Sequence, residues 1–430
     1  MATIEAGLDP YPASAGRLRY RGWRMVAIGF VIFFFAFGGP VSGIPMLYAE
    51  VMREFGWNRT QATLIYTFSS AGGAFVALFV LGRLVERFGL RTALLTCLAM
   101  QGIGLVFFLA VHSLTTYYIA GLLTGLGQGT TLICVSVLVT RWFTRNVGLA
   151  GGIAMMGSSF GGIVFPQIIN LLLPAIGWRF TFAGLSLGMF LVAMPLALLA
   201  RYQPSEAEAL HDTMPPNAAI APERLRAAEL DLSFGDLVRM PMFWFIAAAM
   251  VLTSAVDQGV FQHTMLFLTK EVHLSSTIAA TAISVTFAVG FCAKLLAGRV
   301  FDWLSVKGVM IWYVVLAIAV LLAFPVQGVL TAMIFATARG IAHGGLVSET
   351  PVLAKHCFGP RLLHRVLPIY AGCFSIGSAI GPVSLAMIYD RTGSYKAGFI
   401  LFAAIALVAG LLLIAARPLY RERLRALAGA

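Results

Sequence analysis

Long apolar stretches alternate with short polar ones from residue 25 to residue 416. About 20 consecutive apolar residues can cross the hydrocarbon core of a bilayer as a helix, and a helix satisfies its own backbone hydrogen bonds there. The pattern predicts twelve such helices, and hence an all-α membrane protein. Their expected bounds are 25–50, 60–82, 92–111, 115–140, 148–173, 179–200, 242–268, 277–298, 308–326, 329–353, 363–389 and 396–416.

Composition agrees with this prediction, because 59% of the residues are hydrophobic and only 11% are charged. An average soluble domain has about 25% charged residues. The spacing of the apolar stretches divides the chain into five regions. They are an N-terminal tail (1–24), an N-terminal six-helix bundle (25–200), a polar linker (201–240), a C-terminal six-helix bundle (241–416) and a C-terminal tail (417–430).

The net charge of +12 comes from basic residues at particular places in this plan. They concentrate in the two tails, the linker and the loops that follow even-numbered helices. Positively charged loops remain on the cytoplasmic side, so we expect both termini in the cytoplasm. The charge therefore indicates orientation in a membrane, which we take to be a bacterial inner membrane, and gives no reason to expect a nucleic-acid partner.

One charged turn occurs twice, 216 residues apart. In the sequence GRLVERFGLRT, which starts at Gly82, an acid follows after four residues and a base after nine. The turn that starts at Gly298 has the same spacing, with Asp302 and Lys307. A repeat of this length in a membrane protein indicates two halves that are built alike.

The first copy resembles a motif of the major facilitator superfamily of secondary transporters, Gly-x-x-x-Asp-Arg-x-Gly-Arg-Lys/Arg. Four positions match, while Glu86 replaces the aspartate and Leu90 replaces an arginine. The resemblance implies twelve transmembrane helices in two pseudo-symmetric six-helix bundles, which move substrate by alternating access. It also implies that both turns are gating motifs, formed by Gly82, Glu86, Arg87, Gly89, Arg91, Gly298, Asp302 and Lys307.

A finer resemblance is to the monocarboxylate and oxalate/formate branch of this superfamily. It rests on YRGWRMV before the first helix and on RWFTRNVGLAGGIAMMGSSFGG, which enters the fifth. In that branch a base four residues before the second charged turn binds the substrate carboxylate, and here this position is Lys294. Two positions differ: Gly290 stands where animal members have aspartate, and 366–389 contains no lysine such as oxalate exchangers have.

Once the basic residues of the tails, loops and helix ends are assigned to the two membrane sides, two cations remain inside the membrane, Lys294 and Arg339. A charge at the centre of a bilayer costs about 2.5 to 3.5 kcal/mol on the insertion scale, so such residues usually face a cavity or a partner. We expect Lys294 to bind substrate, with Gly290 and Gly298 leaving room around its ammonium group. The alternatives are that it reaches to the membrane surface or forms a structural ion pair.

Arg339 shares a helix face with His343, four residues on, and its guanidinium could also take a carboxylate. The alternative is a structural pair with Asp257 or Glu349. Asp257 itself is either a proton carrier or the counter-ion of one of the two cations, and His343 belongs to the same proton-coupling or counter-ion set. We expect Glu349 near a membrane face, with no role in transport.

Further features bear on packing rather than transport. His263 is expected to be a hydrogen-bonding packing residue. Glycines four apart, at 157 and 161 and at 377 and 381, predict close helix contacts.

Searches for enzyme motifs find no GxxxxGK[ST], HExxH or GxSxG. We therefore expect no enzyme activity, no catalytic residues, no cofactor and no metal. The sequence predicts a monomeric secondary transporter of a small organic anion, a monocarboxylate in our interpretation, with proton coupling left open. Its partners would be the substrate, protons and the lipid bilayer. The alternatives are a facilitator of uncharged or cationic solutes anchored on Asp257, and a membrane receptor that does not transport.

Overall fold

The computed structural model describes residues 21–143, 147–203, 234–359, 362–416, 418–419 and 422. Within them every regular element is helical. We number the membrane helices α1 (Arg21–Phe55), α2 (59–88), α3 (90–110), α4 (Leu114–Trp142), α5 (147–176), α6 (178–199), α7 (Pro241–Glu271), α8 (Ser276–Leu304), α9 (Val306–Leu321), α10 (Val329–Phe358), α11 (Leu363–Thr392) and α12 (Lys396–Ala415). A short helix, Phe234–Arg239, precedes α7.

The twelve predicted spans are all present in the described residues. Nine helical stretches there are long and apolar enough to cross a membrane. Two of these break at a glycine with positive φ, Gly89 (80°) and Gly177 (74°), and each break separates two spans. The remaining span, α9, is a shorter apolar helix. Most of the predicted tails, and residues 204–233 of the predicted linker, lie outside the described residues.

The same helix pairs recur in the two halves. In the N-terminal bundle α1 packs on α5, α2 on α4, and α3 on α6, and in the C-terminal bundle α7 packs on α11, α8 on α10, and α9 on α12. Each pair in the second half is the first-half pair shifted by six helices. The predicted repeat is therefore a repeat of tertiary packing, and it gives two pseudo-symmetric bundles.

The bundles meet along three helix pairs, α1 with α7, α2 with α11, and α5 with α8. Because successive helices run in opposite directions, residues 21 and 416 lie on one side, which we call the terminal face. The loops at 56–58, 111–113, 272–275 and 393–395 lie on the other, which we call the far face. These two names are used below to locate contacts along the helices.

Gly and Pro residues in α1, from Gly38 to Pro45, would be expected to interrupt a helix, but α1 is continuous. A π-helical turn, Phe34–Gly38, absorbs the irregularity, and the helix continues to Phe55. The small residues serve packing instead: a Cβ on Gly161 of α5 would lie 2.6 Å from both Gly38 Cα and Phe34 O. Gly157 meets Phe30 in the same way, and Gly377 and Gly381 of α11 meet Val251 and Ala255 of α7. Both predicted glycine pairs are thus confirmed as packing surfaces.

Candidate functional site

Lys294 of α8 lies at the boundary between the bundles. Its ammonium nitrogen donates a hydrogen bond to Ser159 Oγ of α5 over 2.8 Å, and Ser159 is buried. Among the described residues no carboxylate oxygen lies within 4.0 Å of this nitrogen. Lys294 is therefore a half-buried cation that contacts the opposite bundle through a neutral hydroxyl.

The two glycines beside Lys294 differ in role, which corrects one expectation. A Cβ on Gly298 would have nothing within 4 Å, but one on Gly290 would lie 3.2 Å from Gly340 O of α10. Gly344, one turn further along α10, approaches the backbone nitrogen of Lys294 itself. Gly290 therefore brings α8 close to α10 and does not make room for the ammonium group.

Asp257 of α7 is the centre of a buried charge cluster. Its Oδ1 accepts from Arg339 Nη2 over 2.8 Å, and its backbone carbonyl accepts from the same nitrogen over 2.9 Å. Its Oδ2 lies 2.9 Å from His343 Nδ1 and 3.0 Å from Gln258 Nε2, which donates to it. The spacing of Arg339 and His343 does place both on one face of α10. The partner of Asp257 is thus Arg339 and not Lys294.

The side chains of this cluster differ in the fraction of their surface that is exposed. The side chains of Asp257 and Arg339 are 1% and 2% exposed, whereas that of His343 is 18% exposed. Arg339 Nη1 is buried with no hydrogen-bond partner in the described residues. In this conformation the Arg339 guanidinium is not accessible to solvent. His343 is the member of the cluster that remains partly exposed to it.

Two tyrosines of the N-terminal bundle extend this network across the boundary. Tyr66 Oη donates to Gln258 Oε1 over 2.8 Å, and Tyr48 Oη donates to Gln262 Oε1 over 2.9 Å. The sequence interpretation did not include these tyrosines or glutamines. The signal available was the polar run of α7, in which Asp257, Gln258 and Gln262 interrupt an apolar helix.

A cavity of about 300 Å3 lies beside Tyr66, in the half of the molecule nearer the terminal face. Phe37, Gln128 and Ser378 contribute to its wall, so α1, α4 and α11 enclose it together with α2. Lys294, Arg339, Asp257 and His343 are not among its lining residues. Tyr66 is therefore the link between this cavity and the charge cluster.

At the far face a second network joins α2 to α11. Asp390 accepts from the backbone nitrogen of Thr60 over 2.9 Å and from its hydroxyl over 2.6 Å, and also from the backbone nitrogen of Arg59 over 3.3 Å. The Arg59 guanidinium carbon lies 3.3 Å from the centre of the Tyr389 ring. The first amides of a helix favour an anion, so Asp390 completes the start of α2 from the other bundle.

The predicted gating motifs lie at the terminal face. Glu86, Arg87, Arg91, Asp302 and Lys307 are exposed there. Arg91 donates to Leu198 O over 2.6 Å, near the C-terminus of α6, where a cation is favourable.

The motif repeat extends to the backbone. Gly89 turns the chain from α2 to α3 with φ of 80°, and Ser305, 216 residues later, turns it from α8 to α9 with φ of 56°. A serine in this region is strained, and its hydroxyl lies 2.9 Å from His356 Nδ1. That these two turns act as gates stays a prediction.

Two other expectations are settled by the contacts. His263 is a packing residue, since its ring nitrogens lie 2.8 Å from Tyr395 Oη and 2.9 Å from Pro382 O. Glu349 is enclosed in the C-terminal bundle with 1% exposure, a burial that the expectation of a place near a membrane face did not include. Hydropathy alone did not reveal that α7 and α9 cover it.

Curated relatives are similar over most of the chain. A protein of Ophiocordyceps sp. (strain BCC 1869) called MFS-type transporter 1 is 23% identical over 93% of this chain and 85% of its own length. Monocarboxylate transporter 4 of Rattus norvegicus is 24% identical over 91% of this chain and 82% of its own length. The oxalate:formate antiporter of Oxalobacter formigenes is 26% identical over a shorter stretch, 39% of this chain and 37% of its own length.

Solved structures show the same fold at low identity. A bacterial homologue of the human lysosomal transporter Spinster, in an inward-facing and unoccupied conformation, aligns with a TM-score of 0.68 and 17% identity over 95% of this chain and 98% of its own. The nucleoside transporter NupG aligns with a TM-score of 0.70 and 13% identity, over 91% and 99%. The family model described as Major Facilitator Superfamily matches residues 25–329 and 267–429. The chain belongs to the major facilitator superfamily of transporters.

Proposed function

We propose that this chain is a secondary transporter of a small organic anion, with a monocarboxylate as the preferred substrate. One observation carries the proposal: in the part of the chain that the structure describes, the Lys294 ammonium lies at the bundle boundary with no carboxylate partner and donates to Ser159 Oγ over 2.8 Å. Placing a cation in the membrane interior costs free energy unless an anion neutralises its charge. A substrate carboxylate would supply that anion between the two bundles.

Arg339 has a different place in the proposal. Its charge is already balanced by Asp257, and its guanidinium is buried. We propose that it reaches a substrate only after the pair with Asp257 opens. Protonation of Asp257, with His343 as its accessible neighbour, would loosen the pair of Asp257 and Arg339, and this is one route by which proton coupling would act. In this conformation Asp257 is a counter-ion.

Two relatives have names that agree with this substrate class, monocarboxylate transporter 4 and the oxalate:formate antiporter. Our proposal places the chain in a bacterial inner membrane with both termini in the cytoplasm, on the basis of the basic loops. The terminal face would then be the cytoplasmic face. Lys294 and the Asp257 cluster both belong to a single chain, so we propose that the monomer is the working unit.

The test is uptake into proteoliposomes of a labelled panel of lactate, pyruvate, acetate, formate, oxalate and an aromatic acid. Each is measured with and without an inward proton gradient. We expect saturable uptake of at least one carboxylate, and a loss of at least about tenfold in Lys294→Gln. This corresponds to about 1.4 kcal/mol of lost substrate interaction. Lys270→Gln removes an exposed lysine of α7 and is the matched control, for which uptake should be unchanged.

The outcomes separate the alternatives. Uptake that Lys294→Gln leaves intact in a folded protein contradicts the assignment of this lysine. Uptake of amines or nucleosides, with no competition from carboxylates, would favour a carrier of cationic or uncharged solutes that uses Asp257. Binding of a carboxylate without any transport would favour a receptor. The four hydrogen-bonding contacts that Asp257 already makes argue against its use as an anchor for cations.

A further inference from the structure

Glu349 of α10 is a buried acid that the transport proposal does not use. Its side chain is 1% exposed, and both of its carboxyl oxygens are buried without a hydrogen-bond partner in the described residues. Asp257, by contrast, has an arginine, a histidine and a glutamine directed at its carboxylate. The two acids of the same bundle therefore lie in opposite environments.

The groups that face Glu349 come from two neighbouring helices. On α9 the Tyr313 hydroxyl adjoins the carboxyl group, and on α7 the Thr253 hydroxyl does so, neither in a well-formed hydrogen bond. Thr253 Oγ1 instead donates to Ala249 O over 2.9 Å. The charged group that acts on Glu349 from α7 is Asp257, which repels a second negative charge.

A cation that could balance Glu349 is missing from the described residues, where no Lys, Arg or His nitrogen lies within 4.0 Å of its carboxylate. Arg339 lies on the same helix, but ten residues correspond to about 15 Å along an α-helix, and its charge is taken by Asp257. An ionised carboxylate that is buried without a well-formed hydrogen bond or a counter-ion is strongly unfavourable. The neutral acid avoids this cost, and its hydroxyl can donate to a neighbouring oxygen.

We propose that Glu349 is a proton-binding site of this transporter and holds its proton in the conformation described here. The site binds one proton: the carboxylate takes it up to become the neutral acid and releases it when water or a cation reaches the carboxyl group. Its use in coupling rests on the proposed function, because only a transport cycle would expose the site to the two faces in turn. Asp257 remains ionised beside Arg339. In this conformation Asp257 therefore carries the negative charge, and Glu349 carries the proton.

The proton itself is measured by infrared spectroscopy of the full-length protein in lipid, without any substrate. We expect a carboxylic acid C=O band that shifts in heavy water and remains at neutral pH. The band should disappear in Glu349→Gln and persist in Asp257→Asn, because Asp257 is ionised. It should also persist in Glu50→Gln, which changes an acid that pairs with Arg53 at the far end of α1.

A band that Glu349→Gln leaves unchanged overturns the proposal. Glu349→Met, which replaces the neutral acid by an apolar chain of similar length, gives a second folded variant if the glutamine is poorly tolerated. Loss of the band in this variant supports the site equally.

Coupling is then tested separately. If the proposed function holds, Glu349→Gln loses uptake driven by a proton gradient but keeps exchange of labelled for unlabelled substrate, and Glu50→Gln keeps both. Loss of both activities in a folded Glu349→Gln protein would contradict a role in coupling. If the wild type transports no carboxylate, the proposed function fails, while the infrared band still decides whether Glu349 binds a proton.

Discussion

Lys294 and Arg339 have different kinds of partner. From this difference we expect one of them to affect substrate binding and the other to affect the stability of the protein. Lys294 donates to a hydroxyl of the other bundle, whereas Arg339 is paired with Asp257 inside its own bundle. Removing one member of a buried ion pair leaves the other charge buried and uncompensated, which destabilises the protein. Arg339 and Asp257 should therefore affect stability, while Lys294 should chiefly affect transport.

Asp257→Asn and Arg339→Gln should each destabilise the protein by about 3 to 5 kcal/mol, because each leaves an uncompensated buried charge. The double variant should recover much of that loss, since no net charge remains in the cluster. A double-mutant cycle of unfolding in detergent measures this coupling as non-additivity.

The control for this cycle is the pair of Arg53 and Glu50, in which the arginine is 76% exposed. Exposed pairs contribute about 0 to 1 kcal/mol, so Arg53→Gln should change stability little. Strictly additive effects at Asp257 and Arg339 would mean that the pair does not stabilise this conformation.

At this scale the sequence predicted side chains on one helix better than partners between helices. The spacing of Arg339 and His343 placed them on one face because helix geometry is local. The choice of Arg339 over Lys294 as partner of Asp257 depends on how α7, α8 and α10 pack, which spacing does not encode. The same reason explains why the burial of Glu349 was not predicted: α7 and α9 cover it through tertiary packing, which the sequence of α10 does not reveal.

At the scale of helices, glycines determine how closely α5 approaches α1. Gly161 and Gly38 face each other almost without a gap, and Gly381 of α11 meets the backbone of Ala255 of α7 in the same manner. Other glycines of α5, among them Gly152, have nothing within 4 Å of a built Cβ. The helix therefore contains both constrained and unconstrained glycines, which allows a controlled comparison.

Gly161→Ala should destabilise the N-terminal bundle by about 1 to 3 kcal/mol, because the added methyl group overlaps the backbone of α1 and forces the helices apart. Gly152→Ala adds the same methyl group in open space. It should be neutral or stabilising by up to about 1 kcal/mol, since alanine favours the helix. Thermal unfolding of both variants measures the contrast, and equal effects would contradict the role of Gly161 as a contact point.

Element number and repeat were predictable because they depend on hydropathy and on local backbone geometry. The 216-residue offset was noticed from charges, and it also relates the turns at Gly89 and Ser305. The π-helical turn of α1 was not foreseen, because Gly and Pro indicate an irregularity without specifying its form. Absorbing it in a π turn keeps the backbone hydrogen bonds within the helix, which a membrane requires.

At the scale of the whole molecule, contacts between the bundles concentrate toward the far face. Asp390 with Thr60, Tyr48 with Gln262, and Asn170 with Thr277 all join the bundles in that half. The 300 Å3 cavity beside Tyr66 lies in the opposite half. The conformation is therefore closed at the far face, and transport in our proposal requires these contacts to break.

Asp390→Ala should shift the molecule toward a state that is open at the far face. Asp390 accepts three hydrogen bonds from α2, and because Asp390 is exposed to solvent we take the net value of a typical hydrogen bond, about 0.5 to 1.5 kcal/mol each. Even about 1.4 kcal/mol changes the ratio of two states tenfold.

Spin labels at His112→Cys and Gln327→Cys, exposed positions on the far-face loops of the two bundles, report the distance between them. The longer distance should gain population in Asp390→Ala but not in Arg391→Gln, which changes an exposed neighbour. An unchanged distance distribution would mean that the contacts deeper in the boundary, at Tyr48 and Tyr66, hold the far face closed without Asp390.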